Sequence, residues 1–149
     1  MKLSAGILFF KRNPLQVLLV HPGGPFWKNK DAGVWSIPKG EPGEGEDLLS
    51  VAIREVMEEL SVEANGNFIA LEPVKQNPSK TVHASALATD VDVSTIISNT
   101  FELEWPPRSG KKINVPEVDK AEWFTMKTAK EKILPGQVPL LNQLEEMIK

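Results

Sequence analysis

The chain is 149 residues long, 41% apolar and 25% charged, with a formal net charge of −3 at pH 7. Those values describe a folded globular protein and exclude a disordered one, and the length suits one domain over residues 1–149 with a core of two or three layers. A sequence pI near 5.5 argues against a broad basic surface and so against stable nucleic-acid binding. There is no cysteine, and the two histidines, His21 and His83, stand 62 residues apart. Disulfides, thiol chemistry and Cys- or His-rich metal centres are therefore excluded.

The first apolar run, residues 3–10, is too short to cross a bilayer and lacks the flanks of a secretory signal. It reads as a buried strand, with no membrane partner and the cytoplasm as the expected compartment. After a Lys11-Arg-Asn-Pro14 turn, residues 16–20 read as a second strand, and His21-Pro-Gly-Gly-Pro25 breaks structure. An irregular loop should follow over 26–33, then a short strand at 34–37 feeding Pro38-Lys39-Gly40. A helix is predicted from about Asp47 to 60–61, with an acidic first turn complementing its dipole. Further strands are expected at 68–71, 81–89, 101–105 and 121–125, with a helical turn at 95–98 and a loop at 105–112. Helices should cover 126–133 and 140–148, split by Leu134-Pro-Gly-Gln-Val-Pro139. This order predicts an α/β fold with helices on both sides of a mixed sheet.

One stretch is anomalous in charge. Residues 40–63 hold eight carboxylates against one cation, Arg54, so the remainder of the chain is net positive by four. Such crowding costs self-repulsion unless a cation relieves it, and a divalent metal does so most economically. On a helical projection Leu49, Ala52, Ile53, Val56 and Leu60 form an apolar stripe. Glu55, Glu58 and Glu59 fall beside it at i, i+3 and i+4, spacings at which like charges destabilise a helix. A solvated acidic face would explain the charge, but three glutamates bordering a buried stripe and a glycine-rich loop point to function. An all-oxygen donor set selects a hard cation, Mg²⁺ first with Mn²⁺ as a substitute. Mg²⁺ completes its shell with waters and substrate phosphates, which suits a phosphorylated substrate.

The spacing itself is distinctive. Gly40, Glu46, Arg54, Glu55, Val56, Glu58, Glu59 and Val62 occupy the fixed positions of G-x5-E-x7-R-E-U-x-E-E-x-G-U, where U is apolar. The stretch resembles the signature of the Nudix hydrolases, and Ser61 stands where that pattern has its last glycine. The resemblance implies an α/β/α sandwich and hydrolysis of a diphosphate linkage in a nucleoside diphosphate derivative. It implies metal-binding and water-activating roles for Glu55, Glu58 and Glu59, with Glu59 first among direct ligands. Gly40 would turn its carbonyl toward the metal, and Glu46 would be an outer or accessory ligand. Arg54 would orient Glu55 through a charge-assisted pair. The general base stays open between Glu55 and Glu117. The run Trp35-Ser-Ile-Pro-Lys-Gly40 is similar to that of the dinucleoside polyphosphate and diphosphoinositol polyphosphate hydrolases. Substrates in reach are nucleoside triphosphates (oxidised ones included), as for MutT-like members, dinucleoside polyphosphates and nucleotide sugars, and many relatives form homodimers.

Substrate contacts are sought outside the box. Lys39 can act as a point charge for phosphate, or pair with Glu41 on the surface. Phe26 and Trp27, in a Gly/Pro loop, can stack on a base or sugar, whereas Trp123 reads as core. Arg108-Ser-Gly-Lys-Lys112 is no Walker loop; Arg108 and Lys111 either grip a distal phosphate or decorate a solvated hairpin tip. His21 and His83 read as structural. The competing functional reading is a non-catalytic nucleotide- or metabolite-binding regulatory module, which would not need all three box carboxylates. A structural calcium helix is the third, and no EF-hand loop supports it.

Overall fold

A computed structural model describes residues 2–148. The chain runs β1 (Lys2–Lys11), β2 (Gln16–Pro22), β3 (Lys39–Gly40), α1 (Leu48–Leu60), β4 (Ile69–Ala70), β5 (Val74–Asn77) and β6 (Lys80–Ala88), then β7 (Thr100–Glu104), β8 (Lys112–Pro116), β9 (Val118–Thr125), α2 (Met126–Lys132) and α3 (Val138–Met147). One mixed sheet is ordered β4-β6-β1-β2-β9, with β3 on β1 and β5 on β6, while β7 and β8 form a separate antiparallel pair. Only the β1–β6 pairing is parallel among the described strands.

The continuous apolar run of β1 is explained by burial on both faces. Leu8 and Phe10 join Val17 and Leu19 of β2 in a core closed by Ala129, Leu140, Leu141 and Leu144 of α2 and α3. Ile7 and Phe9 point the other way, joining Leu18 and Val20 under Val51, Ala52, Val56 and Leu60 of α1. Helices therefore cover both sheet faces, as the α/β reading expected. Among the described residues no helix is long and apolar enough to cross a membrane.

Strand β1 is shared along its length. Its early residues pair with β3 (Ala5 with Gly40, Gly6 with Lys39), and its last residues pair with β2 (Phe10 with Val17). The sheet opens between those pairings, and the chain before the acidic helix is threaded into the gap. Gly6 is needed there, since a Cβ would meet Pro38 O and the Lys39 side chain.

Several expected details are corrected. Residues 34–37 are not a ladder strand; Trp35 and Ser36 make only isolated bridges to Ile133 and Val20, and the pairing segment is Lys39–Gly40. Strands β5 and β8 were not anticipated: both are short, β5 is mostly polar, and β8 pairs with β7 outside the main sheet. The helical turn falls at Val93–Thr95 rather than 95–98. Helix α1 has no acid in its first turn, because Asp47 is the N-cap itself and accepts from Ser50 N. Val51 is fully buried, while the expected stripe members Leu49 and Ile53 are only half-buried. Burying Val51, Val56 and Leu60 contributes about 2 kcal/mol each, which outweighs a like-charge penalty of a few tenths per pair on the other face.

Candidate active site

Glu55 and Glu59 are one turn apart on α1, and Glu117 arrives between β8 and β9. A carboxylate oxygen from each lies within 4.8 Å of the other two. Gly40 makes room for this, because a Cβ there would overlap the Glu55 carboxyl group. The visible task of that glycine is to let backbone pass against a carboxylate. Arg54 is ion-paired to Glu46 and lies 3.5 Å from Glu55 and 3.9 Å from Glu58. It thus reaches three glutamates from the outer side, Glu55 included. Glu46 also accepts from Gly43 N, so both of its oxygens are engaged. Glu46 and Glu58 lie outside the triad of converging oxygens.

Glu117 is tied to the helix by a strap at 97–99. Its amide donates to Asn99 O at 2.9 Å, while Asn99 N donates to Glu58 O at 2.8 Å. Ser61 caps the helix in the left-handed region (φ 57°), a conformation that favours glycine. Its hydroxyl donates to Ile97 O at 2.7 Å, and Ile97 N donates back to Leu60 O. The residue departing from the family pattern is therefore bonded into the strap that carries Glu117.

The electrostatics follow from this packing. Burial, reinforced by the Glu117 charge, pushes Glu59 up from 4.5 to about 8, although Lys39 opposes the shift. Glu59 is 8% exposed, and its Oε2 is buried without a hydrogen-bond partner. Glu55 is raised by burial and by Glu58, against the pull of Arg54, and Glu117 is raised by burial and then by Glu58. Glu46 moves the other way, held low by Arg54 and then by the Gly43 amide. Burial, and next the Lys80 charge, brings Lys39 down from 10.5 to about 8. A buried oxygen without a hydrogen-bond partner, in a set of carboxylates repelling one another, leaves free lone pairs directed at a common point. The three oxygens fit a hard divalent ion.

A cleft of about 320 Å³ opens beside these groups, and Glu59, Glu117, Lys39 and Trp27 line it with apolar side chains. Lys39 is thus a cleft residue rather than a surface partner of Glu41. Trp27 meets Phe26 edge-to-face at 4.8 Å, and Lys30 Nζ sits 3.6 Å from the Phe26 ring centroid. Phe26 is 54% exposed and does not line the cleft. His21 is buried, 2.8 Å from Asp119 Oδ1 and 2.6 Å from Lys30 O, and so braces the loop that carries Trp27. Arg108 and Lys111 are exposed on the β7–β8 loop and do not line the cleft.

Sequence reasoning missed Gln76 and Gln137. Gln76 lines the cleft from β5, and Gln137 is wholly buried beneath it. Gln137 Oε1 accepts from Ile37 N at 3.1 Å, and its Nε2 donates to Ser36 Oγ at 3.0 Å and to Gln76 Oε1 at 2.9 Å. Neither glutamine belongs to a patterned segment, so no local signal marked them.

A triad of half-buried and buried carboxylates stands beside a lysine-bearing cleft, on a mixed sheet between helices, and gives the fold one all-oxygen donor set. A model of the NUDIX domain matches residues 1–144, and the chain belongs to that family. Nudix hydrolase 7 of Arabidopsis thaliana is 39% identical over 62 residues, 42% of this chain and 21% of the relative. The chain's match thus spans about a fifth of that relative's length. The NUDIX domain of Shewanella oneidensis NrtR, solved with ADP-ribose, superposes with a TM-score of 0.68 at 16% identity, covering 100% of this chain and 89% of that one. A Caenorhabditis elegans Ap4A hydrolase binary complex gives a TM-score of 0.66 at 19% identity, covering 99% and 98% of the two chains. These two likenesses establish the shared fold.

Proposed function

We propose that this protein hydrolyses a diphosphate linkage in a nucleoside diphosphate derivative, with Mg²⁺ as its cofactor. The observation that carries the reading is the convergence of Glu55, Glu59 and Glu117 oxygens within 4.8 Å, with a buried Glu59 oxygen lacking any partner. Family membership and the nucleotide-type ligands in the names of the two structural neighbours support it. Glu55, Glu59 and Glu117 would hold the ion, which supplies Lewis acidity toward phosphate oxygens. Glu58 and Glu46 support this set through Arg54, which fixes Glu55. Lys39 serves as the point charge that receives substrate phosphate. Glu117 has no ion-pair partner among the described residues, so its carboxyl is the freer proton acceptor for an attacking water; Glu55 is the alternative. Trp27 walls the cleft where a base or sugar would lie.

The test is a hydrolysis panel of ADP-ribose, diadenosine tetraphosphate and nucleoside triphosphates, with Mg²⁺ or with EDTA, with products identified. Turnover should require the metal, and Glu59→Gln should lower it by at least about 10²-fold while the fold persists. Release of no product from any substrate, or EDTA-insensitive release, would overturn the assignment.

A further inference from the structure

Gln76 is held by three features that leave one half of its amide pointing into the cleft. The β5–β6 register runs Lys75 with Thr81 and then Asn77 with Lys80, so Gln76 is the extra residue of a bulge. Bulges re-aim side chains, and they concentrate next to active sites. Behind the bulge, a Cβ at Gly136 would overlap the Gln76 carbonyl, so the glycine lets the turn after α2 press against this backbone. The side chain is then fixed by Gln137.

The orientation of both amides is forced. Ile37 N–H can only donate, so the Gln137 atom facing it is Oε1. Gln137 Nε2 must therefore face Ser36 Oγ and Gln76, and it spends its two hydrogens there. Ser36 Oγ passes its own hydrogen to Ile37 O at 2.7 Å and so accepts from Gln137. The Gln76 atom receiving from Gln137 is consequently Oε1, which leaves its NH2 group for the cleft. Among the described residues, Gln76 Nε2 donates to no protein acceptor. A flip of Gln76 would set two donors against each other and strand a buried Gln137 hydrogen.

We propose that Gln76 is a specificity-determining residue that selects a substrate base presenting acceptors, a 6-oxopurine, over one presenting an amino group. A carboxamide reads adenine through its oxygen and nitrogen together, receiving from N6 and donating to N7. Here the oxygen is turned toward the wholly buried Gln137 and accepts from it, so the amide presents its donors to the cleft, and these match the O6 and N7 acceptors of an oxopurine. Gln137 is a positioning residue that acts through Gln76. This rests on the reading of the cleft as the substrate site of a nucleotide hydrolase.

Inosine and adenosine triphosphates differ in the functional group at C6 and its effect on N1, which makes them a matched pair of probes. With Mg²⁺, the wild-type protein should favour the inosine nucleotide by about tenfold in kcat/KM and in calorimetric affinity, the worth of one well-made hydrogen bond. Gln76→Leu should bring the ratio near one, and Gln76→Glu, which replaces donors by acceptors, should reverse it. Gln137→Leu should narrow the ratio through KM with kcat for the inosine nucleotide retained. A wild-type ratio near one or favouring adenosine, a ratio unmoved by Gln76→Leu, or binding of neither nucleotide would overturn the inference. Preferential binding of the inosine nucleotide without turnover would instead sink the hydrolase reading and leave Gln76 in its role.

Discussion

Helix α1 and the tip of the β7–β8 hairpin both gather like charges, and they treat them in opposite ways. On α1 the glutamates are drawn against a buried face until Glu59 is pushed up to about 8 and one of its oxygens has no partner. At the hairpin Arg108 and Lys111 stand in water, and Lys112 pairs with Glu102 at 3.2 Å across an exposed surface. Solvent screens such charges, so bringing them together costs little. Convergence is informative where it is expensive. The acidic cluster opposes its own surroundings and so calls for a ligand, whereas the basic tip is satisfied as it stands.

Substitutions can break that contrast. The largest effect should come from Glu117→Gln, which keeps the size of the third carboxyl group and removes its charge. Turnover should fall about 10²-fold, and the acidic limb of the pH–rate profile should shift or vanish if Glu117 takes the proton, whereas an unchanged profile assigns that role to Glu55. Gly40→Ala comes next. Its new methyl group must displace the Glu55 carboxyl, so Mg²⁺ affinity by calorimetry should drop on the order of 10-fold, the scale for residues that orient ligands.

The pH dependence of stability sharpens the contrast further. Glu59 keeps its proton in the folded chain up to about 8, while the unfolded chain releases it near 4.5. Between those values the folded state binds more protons, so metal-free protein should lose stability as pH rises, by on the order of a few kcal/mol. Melting temperatures in EDTA should fall across that window; Mg²⁺ or Glu59→Gln should flatten the slope. At the small end, Arg108→Ala and Lys111→Ala should each change stability by less than about 0.5 kcal/mol. Their kcat/KM should stay within about twofold, and a larger loss would show that the hairpin reaches substrate.

How much of this could be read beforehand depended on how far apart the cooperating residues lie. Glu55, Glu59, Arg54 and Gly40 share about twenty residues of chain, and helical periodicity alone placed the carboxylates beside a buried stripe. The two-sided burial of β1 was equally visible as an unbroken apolar run. Glu117 was only an outlying candidate, because its place depends on the strap at 97–99 and on pairing with no local pattern. Gln76 was invisible: its orientation comes from a bulge, from a glycine 60 residues on and from a glutamine 61 residues on. Periodicity set Glu58 with Glu55 and Glu59; in the structure Glu58 lies 3.9 Å from Arg54, and its charge acts on both Glu55 and Glu117 from beside the oxygen triad.

The strap also has a mechanical consequence. Through one residue, Asn99, the amide is spent on the end of α1 and the carbonyl on Glu117. A tilt of the helix end is therefore passed directly to the junction of β8 and β9, which bears the third carboxylate. The three oxygens should keep their spacing when the helix end shifts, because one residue couples the two segments that supply them.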